Sequence, residues 1–309
     1  MTGERCAVAG CGPSRRVVAA GLGLLPFGPA ASSARAVTDA ERSFRALPKA
    51  AWVWDFSFQR AREIADIAER FGIATLFVSI PIADRARLLG GDAALIRQLD
   101  VFATRGIALW ALAGDPAWVE APASIPRPLQ MLLDIQTRLR PFAGLQLDVE
   151  PQALPRWRAG PEARIALSEQ LIAFLGTVKS KAGPLPIDFA AHPMLAGMTL
   201  PGARNAMAAV CRHVDSISLM AYRDSAAATL RLARPAIDVL EAAEKSWRMA
   251  VLVYASQEQH TSFSGFMKER FFSEIQNLDL LIKFSSKETY FKGLAFEDHR
   301  GLRELLLAR

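Results

Sequence analysis

The sequence predicts a single α/β domain, a (β/α)8 barrel, and three observations lead to that fold class. Short apolar, β-prone runs alternate with longer helix-periodic segments through eight units, the pattern of βα repeats on a parallel sheet. The chain from 37 to 309 is close to the roughly 250 residues typical of such a barrel, and no Ser/Gly/Pro linker divides it. The run Gly144-Leu145-Gln146-Leu147-Asp148-Val149-Glu150-Pro151 reads as a buried strand with two carboxylates at its C-terminal end, where barrels place their chemistry.

The first element does not belong to the barrel. Pro13-Ser14-Arg15-Arg16-Val17-Val18 leads an apolar stretch from Ala19 to Ala31, and Ser33-Ala34-Arg35-Ala36 follows as a small-x-small cleavage pattern. Residues 1–36 are therefore expected to be a cleavable signal of twin-arginine type, which implies an exported, periplasmic or secreted bacterial protein. The apolar stretch is too short and too broken by Gly and Pro to serve as a stable transmembrane anchor. Val8-Ala9-Gly10-Cys11 is lipobox-like, but no apolar region precedes it, so lipidation of Cys11 is the lesser reading.

That segment accounts for three of the six excess positive charges. No Lys/Arg run with interleaved aromatics remains, so no nucleic-acid partner is expected. Cys6 and Cys11 leave with it, and Cys211 stays without a disulfide partner as a small buried apolar residue. At 51% apolar and 22% charged, the chain has the composition of a globular protein.

The strands are expected at Trp52 to Phe56, Thr75 to Ile80, Ala108 to Ala113, Gly144 to Asp148, Ile187 to Ala191, Ser216 to Met220, Ala250 to Tyr254 and Gly293 to Glu297. Between them, Arg60 to Arg70 spaces Ile64, Ile67 and Ala68 at helical intervals and stops at Gly72, a left-handed cap. Asp92 is an N-cap for a helix running to Arg105 before Gly106. Pro128 to Arg140, Glu162 to Ala182, Ala203 to Arg212, Ala226 to Ala243 and Phe266 to Phe284 supply further helices, and Gly301 to Leu307 a short closing one.

Strand alternation puts Leu145, Leu147 and Val149 on one face and Gln146, Asp148 and Glu150 on the other. The polar face must open into the barrel mouth, because adjacent carboxylates sealed in a core cost several kcal/mol each. Residues at or just beyond the other strands' C-termini line the same mouth, which gathers Trp54 and Asp55, Asp115 and Trp118, His192, Tyr222 with Arg223 and Asp224, Tyr254 with Gln257 and Glu258, and Glu297 with Asp298 and His299. Aromatics and acids together suit a sugar, whose apolar ring faces stack and whose hydroxyls bind carboxylates.

Plainer readings stand beside these. The Asp148/Glu150 pair also fits a structural ion pair with Arg156 or Arg223. Trp52 and Trp54 also fit core and rim packing, and Tyr222 the end of an apolar strand. His192 and His299 show no metal-type spacing with a third ligand, so ordinary hydrogen-bonded histidines are expected. No motif implies a metal or organic cofactor, and the oligomeric state is open.

With these residues assembled, the chain resembles the family 18 glycoside hydrolases, the chitinase-like barrels. Their strand-four motif Asp-Gly-x-Asp-x-Asp-x-Glu is met by Ala143-Gly144-Leu145-Gln146-Leu147-Asp148-Val149-Glu150, with the first two acids replaced. Their strand-six Met-x-Tyr-Asp is met by Met220-Ala221-Tyr222-Arg223, with the acid displaced to Asp224. The tryptophan that floors their sugar pocket on strand eight is absent, and Phe296 and Glu297 stand nearby. The resemblance implies that Glu150 protonates the leaving glycosidic oxygen. It also implies that Asp148 orients a 2-acetamido group that attacks the anomeric carbon, and that Tyr222 hydrogen-bonds that group. In a second form of the chemistry, Glu258 or Glu297 is a true nucleophile opposite Glu150.

The leading expectation is an exported glycosidase acting on a polysaccharide or oligosaccharide, with N-acetylhexosamine-containing glycans among the candidates and the sugar and linkage left open. Trp54, Asp55, His192, Arg223, Tyr254, Glu258 and Glu297 are expected to contact the carbohydrate. A carbohydrate-binding barrel without catalysis and an envelope scaffold are the rival classes.

Overall fold

The computed structural model describes residues 38–203 and 205–307, so the segment 1–36 expected to be an export signal, with Cys11, lies outside the described residues. Eight parallel strands close into a barrel in sequence order. They are β1 (Lys49–Val53), β2 (Thr75–Val78), β3 (Ala108–Ala113), β4 (Gly144–Leu147), β5 (Ile187–Ala191), β6 (Ser216–Leu219), β7 (Ser246–Leu252) and β8 (Phe291–Glu297). The helices are α1 (Asp39–Ala46), α2 (Ala61–Phe71), α3 (Ile82–Leu89), α4 (Ala93–Ala103), α5 (Arg127–Leu139), α6 (Pro161–Ala182), α7 (Ala206–Val210), α8 (Ala226–Ala242), α9 (Lys268–Ser285) and α10 (His299–Leu307).

The local signals act as the sequence implies. Asp92 accepts from the N–H groups of Ala94 and Leu95 to start α4. Gly72 ends α2 in the left-handed region at φ 66°. The differences have physical causes. β1 begins three residues earlier than expected because the charge of Lys49 hides the strand. The buried ammonium donates to the carbonyls of Phe44 (2.6 Å), Leu47 (2.7 Å) and Arg45 (3.1 Å), closing the end of α1, and burial beside Arg45 pushes its pKa down to about 8. α3 was not anticipated. Its buried Arg85 interrupts the apolar face and donates to Ile80 O (2.7 Å) and Pro128 O (2.6 Å). The helix expected from Ala203 starts only at Ala206, where Asn205 accepts from the N–H of Ala208 at 2.8 Å.

Alternation along the strands sorts the side chains into two cores. Outward residues such as Ala51, Val53, Leu76, Val78, Leu145 and Leu147 pack under the helices. Inward, Ala50, Trp52, Phe77, Leu112, Ala190, Met220, Ala250 and Ala295 fill the cylinder, with Trp110 and Tyr222 against them. Gly144 makes this filling possible, since a Cβ there would lie 2.4 Å from the Trp110 ring.

The inner core is not wholly apolar. Asp188 is fully buried and accepts from Ser216 Oγ (2.6 Å), Ser218 Oγ (2.7 Å) and Gln146 Nε2 (3.4 Å), with Arg248 Nη1 at 3.7 Å. Gln146 is the register partner of Asp188 on the neighbouring strand and also accepts from Trp52 Nε1 at 3.4 Å.

Candidate active site

The mouth is built where β4 stops. Asp148 N–H still donates to Ala113 O at 3.0 Å, continuing the ladder one residue past β4. Pro151 then has no N–H to extend it and opens a 3-10 turn. A residue before proline is kept out of the helical region, and Glu150 sits at φ −108°, ψ 84°. The alternation therefore persists to Glu150, and Asp148 and Glu150 both project inward. The approach of β3 is equally tight, since a Cβ on Gly114 would lie 1.7 Å from Asp148 O.

A cavity of about 410 Å³ opens here, lined among others by Asp148, Glu150, His192, Tyr222, Tyr254 and Glu297. That size is within the range of small-ligand sites. A second cavity of about 450 Å³ is lined by Trp54, Tyr254, Glu297, Asp298, Arg300, Gly301 and Glu304. Tyr254 and Glu297 are common to both.

Glu297 occupies the centre of this arrangement. Its Oε2 accepts from the Tyr222 hydroxyl, and Trp54 and Tyr254 stand beside its carboxylate in the second cavity. Burial and the neighbouring Asp298 raise its pKa, and the Tyr222 hydroxyl opposes the rise. Glu150 is raised by burial and by repulsion from Glu297, and Gln152 Nε2 donates to it. Asp148 is held well above the ordinary carboxylate range by burial and by Glu150 and Glu297, and its Oδ1 has no hydrogen-bond partner. Desolvation and like charge together favour the protonated forms of these acids.

The aromatic and polar rim varies in exposure. Trp54 and Tyr254 are 37% and 42% exposed, which leaves ring surface open to solvent. The Tyr254 hydroxyl is pushed up to about 12 by burial and by Glu297. His192 Nδ1 accepts from Met194 N–H at 3.1 Å, which fixes the proton on Nε2, and burial and Arg223 lower its pKa. It is thus a neutral donor at the cavity wall. Arg223 donates to Tyr222 O at 2.6 Å, and Glu258 is an exposed side chain at the rim.

The structure brings Glu150, Asp148, Tyr222, His192, Arg223, Tyr254, Glu258 and Glu297 to one cavity, with Trp54 beside it on Glu297. It does not bring Asp55 there. Its carboxylate pairs with Arg60 (3.2 Å) and Arg300 (3.3 Å), because β1 ends at Val53 and the chain has already turned aside. Asp115 caps the next turn through Ala117 N–H at 2.8 Å, and Trp118 packs on Phe174 with ring centroids 6.0 Å apart. Asp224 is held by His260 Nδ1 at 2.9 Å. His299 is buried, with both ring nitrogens lacking hydrogen-bond partners and Asp55 Oδ1 3.9 Å away. Cys211 is buried, which pushes its thiol up to about 11.

Among the described residues, neither Asp148 nor Glu150 forms an ion pair with Arg156 or Arg223. Arg156 donates to Gln170, and Arg223 to a carbonyl. Sequence reasoning missed Gln152 and Met194 in the cavity wall, neither of which carries a local signal. It also missed the Asp188–Arg248 pair, whose signal is a charged residue inside each of two apolar strands. Among the described residues, no group of three or more His, Cys, Asp or Glu is arranged to hold a metal ion, and no helix is long and apolar enough to cross a membrane.

The raised pKa of Asp148 has a measurable consequence. An acid whose folded pKa lies above its unfolded value contributes stability that is complete at low pH and lost as pH rises through the folded value. Asp148→Asn, which cannot ionise, should therefore raise Tm at pH 7.5. The gain should close toward pH 4. Calorimetric scans of both proteins at the two pH values test this, and an equal or lower Tm for the variant at pH 7.5 would contradict it.

No family model matches the chain, and no curated protein matches it. Among solved structures, the fold is similar to that of a GH18 chitinase from Pseudoalteromonas aurantia, with a TM-score of 0.54 and 10% identity over 84% of this chain and 98% of that one. It is also similar to the spore cortex-lytic enzyme SleL of Bacillus cereus, with a TM-score of 0.51 and 10% identity over 84% of this chain and 74% of that one. A proposed deoxyribose-phosphate aldolase from Toxoplasma gondii ME49 matches at a TM-score of 0.52 and 15% identity over 86% of this chain and 92% of that one. The likeness is one of fold: the chain has the TIM barrel seen in GH18 chitinases, an architecture that hosts unrelated chemistries.

Proposed function

We propose that the protein is an exported glycoside hydrolase acting on an oligosaccharide or polysaccharide, with Glu150 as general acid. The observation that carries this reading is the placement of Glu150, Asp148, Glu297 and Tyr222 around one cavity at the C-terminal mouth of the barrel. Glycosidic bond cleavage needs a carboxyl that stays protonated near neutrality and a second group of opposite role on the other side of the anomeric carbon. Burial and repulsion by Glu297 raise Glu150 in the direction an acid requires. The open faces of Trp54 and Tyr254 offer the stacking surfaces that sugar rings use.

The export part of the proposal is supported by the paired arginines, the apolar stretch and the cleavage pattern between residues 13 and 36. The 2-acetamido role implied for Asp148 and Tyr222 requires the Tyr222 hydroxyl to turn from Glu297 toward the sugar.

The test is a screen of the protein against acetylated and non-acetylated oligosaccharides, read by mass spectrometry for shortened products. Products from at least one class are expected. Saturable binding with no product from any ligand would favour the carbohydrate-binding barrel, and neither binding nor product would favour the scaffold.

A further inference from the structure

The cavity holds three carboxyl groups, and their hydrogen-bond surroundings are unequal. The Tyr222 hydroxyl donates to the Glu297 carboxylate, and Trp54 and Tyr254 line a cavity with that same carboxylate. Each of these three side chains has a single donor hydrogen of its own, on oxygen or on the indole nitrogen. Donors aimed at a carboxylate stabilise its ionised form. Glu150 has one such side-chain partner, Gln152, and Asp148 Oδ1 has none. In a cavity that disfavours three negative charges at once, the charge therefore settles on Glu297, and the protons settle on Glu150 and Asp148.

Two further observations weigh against help from a substrate acetamido group. The Tyr222 hydroxyl is committed to Glu297, and the Asp148 Oδ1 atom is sealed from solvent. At the end of β8, Phe296 turns outward into the shell under the helices, and Glu297 turns inward to line both cavities. Where the resembled family floors its sugar pocket with an indole, this chain presents a carboxylate.

We infer that Glu297 is the protein's own nucleophile, paired with Glu150 as acid and base, and that the preferred substrates carry a plain 2-hydroxyl group. This rests on the glycosidase reading and deepens it. In the first step a Glu297 oxygen bonds C1 as the C1–O bond to the leaving sugar breaks. That bond's electron pair passes to the leaving oxygen, which takes the proton of Glu150. In the second step the Glu150 carboxylate takes a proton from water, whose oxygen bonds C1 as the ester bond to Glu297 breaks. The released sugar keeps its anomeric configuration, and Glu150 regains its proton. Tyr222, Trp54 and Tyr254 act as positioning residues that fix the nucleophile's rotamer and charge.

The experiment uses the unmodified protein and a panel of 2-deoxy-2-fluoro-glycosyl fluorides in the gluco, galacto and xylo series, both anomers of each. One member is expected to inactivate the protein with time, leaving a single adduct on the peptide that contains Glu297. Proton NMR of a turned-over substrate should show retention, and kcat/KM should favour 2-hydroxyl over 2-acetamido sugars by about 10-fold or more. Glu297→Ala should lose activity and regain part of it with azide, giving a glycosyl azide of inverted configuration. That rescue separates a lost nucleophile from a disturbed aromatic cluster. Inversion of configuration, labelling of Glu258 instead, or inhibition by a thiazoline with preference for 2-acetamido substrates would overturn the assignment and leave the glycosidase reading standing. No turnover and no label with any probe would overturn both.

Discussion

Glu150→Gln is expected to lower kcat/KM by about 10²–10⁴-fold toward natural glycosides, the usual contribution of a positioned general acid. The change keeps the side-chain shape and removes a group that burial and Glu297 already hold toward the neutral form, so folding should be preserved. A structural role and a proton-donating role then separate by leaving group. An aryl glycoside with a strongly acidic phenol needs no protonation to depart, and its cleavage should fall far less. The pH profile gives a second reading with a definite sign. Wild-type activity should decline on the alkaline side as Glu150 loses its proton, at a pH above the ordinary glutamate range. The decline should be missing in the Gln variant with the activated substrate. Equal losses on both substrates, with the alkaline decline intact, would remove Glu150 from the acid's role.

The largest effect on stability is expected inside the cylinder. Arg248→Met leaves the fully buried Asp188 with its Ser216, Ser218 and Gln146 donors but without a counter-charge. Breaking a buried pair from one side costs about 3–5 kcal/mol, because the remaining charge stays desolvated. For a domain of this size that corresponds to a Tm lowered by about 10 °C. The double variant Asp188→Asn with Arg248→Met removes both charges and should recover most of the loss, since much of the cost lies in the orphaned charge and not in the pair itself. Urea unfolding of the two variants measures this. A double variant as unstable as Arg248→Met alone would mean that the Arg248 stem and its approach to the Phe77 ring, 6.0 Å from the centroid, carry the stability instead.

Much of the fold was legible because barrel strands are read one at a time. β3 and β5 have the expected bounds, and Gly72 and Asp92 punctuate their helices as their residue types require. Failures came where a polar side chain was buried with a partner from elsewhere. Lys49 conceals the start of β1 by reaching the carbonyls at the end of α1. Arg85 conceals α3 in the same way, and Arg248 lies in the segment of β7 that sequence reasoning left out. The candidate site followed the same division. Position at the strand ends points Glu150, Asp148, Tyr222 and Glu297 into one mouth, but the side chains gathered around Glu297 come from the segments that follow β6, β7 and β1.

The sequence by itself determined the strand count, the parallel order and, on β4, which residues face inward, because these depend on periodicity and on signals within a few residues. The tertiary structure alone decided that Asp55 is drawn to Arg60 and Arg300 and that Gln146 meets Asp188. It alone also decided that, of three neighbouring carboxyls, Glu297 accepts from the Tyr222 hydroxyl. Each of these depends on the distance between groups far apart in the chain and on the water excluded between them. Closing the barrel sets both at once, and no local pattern records either.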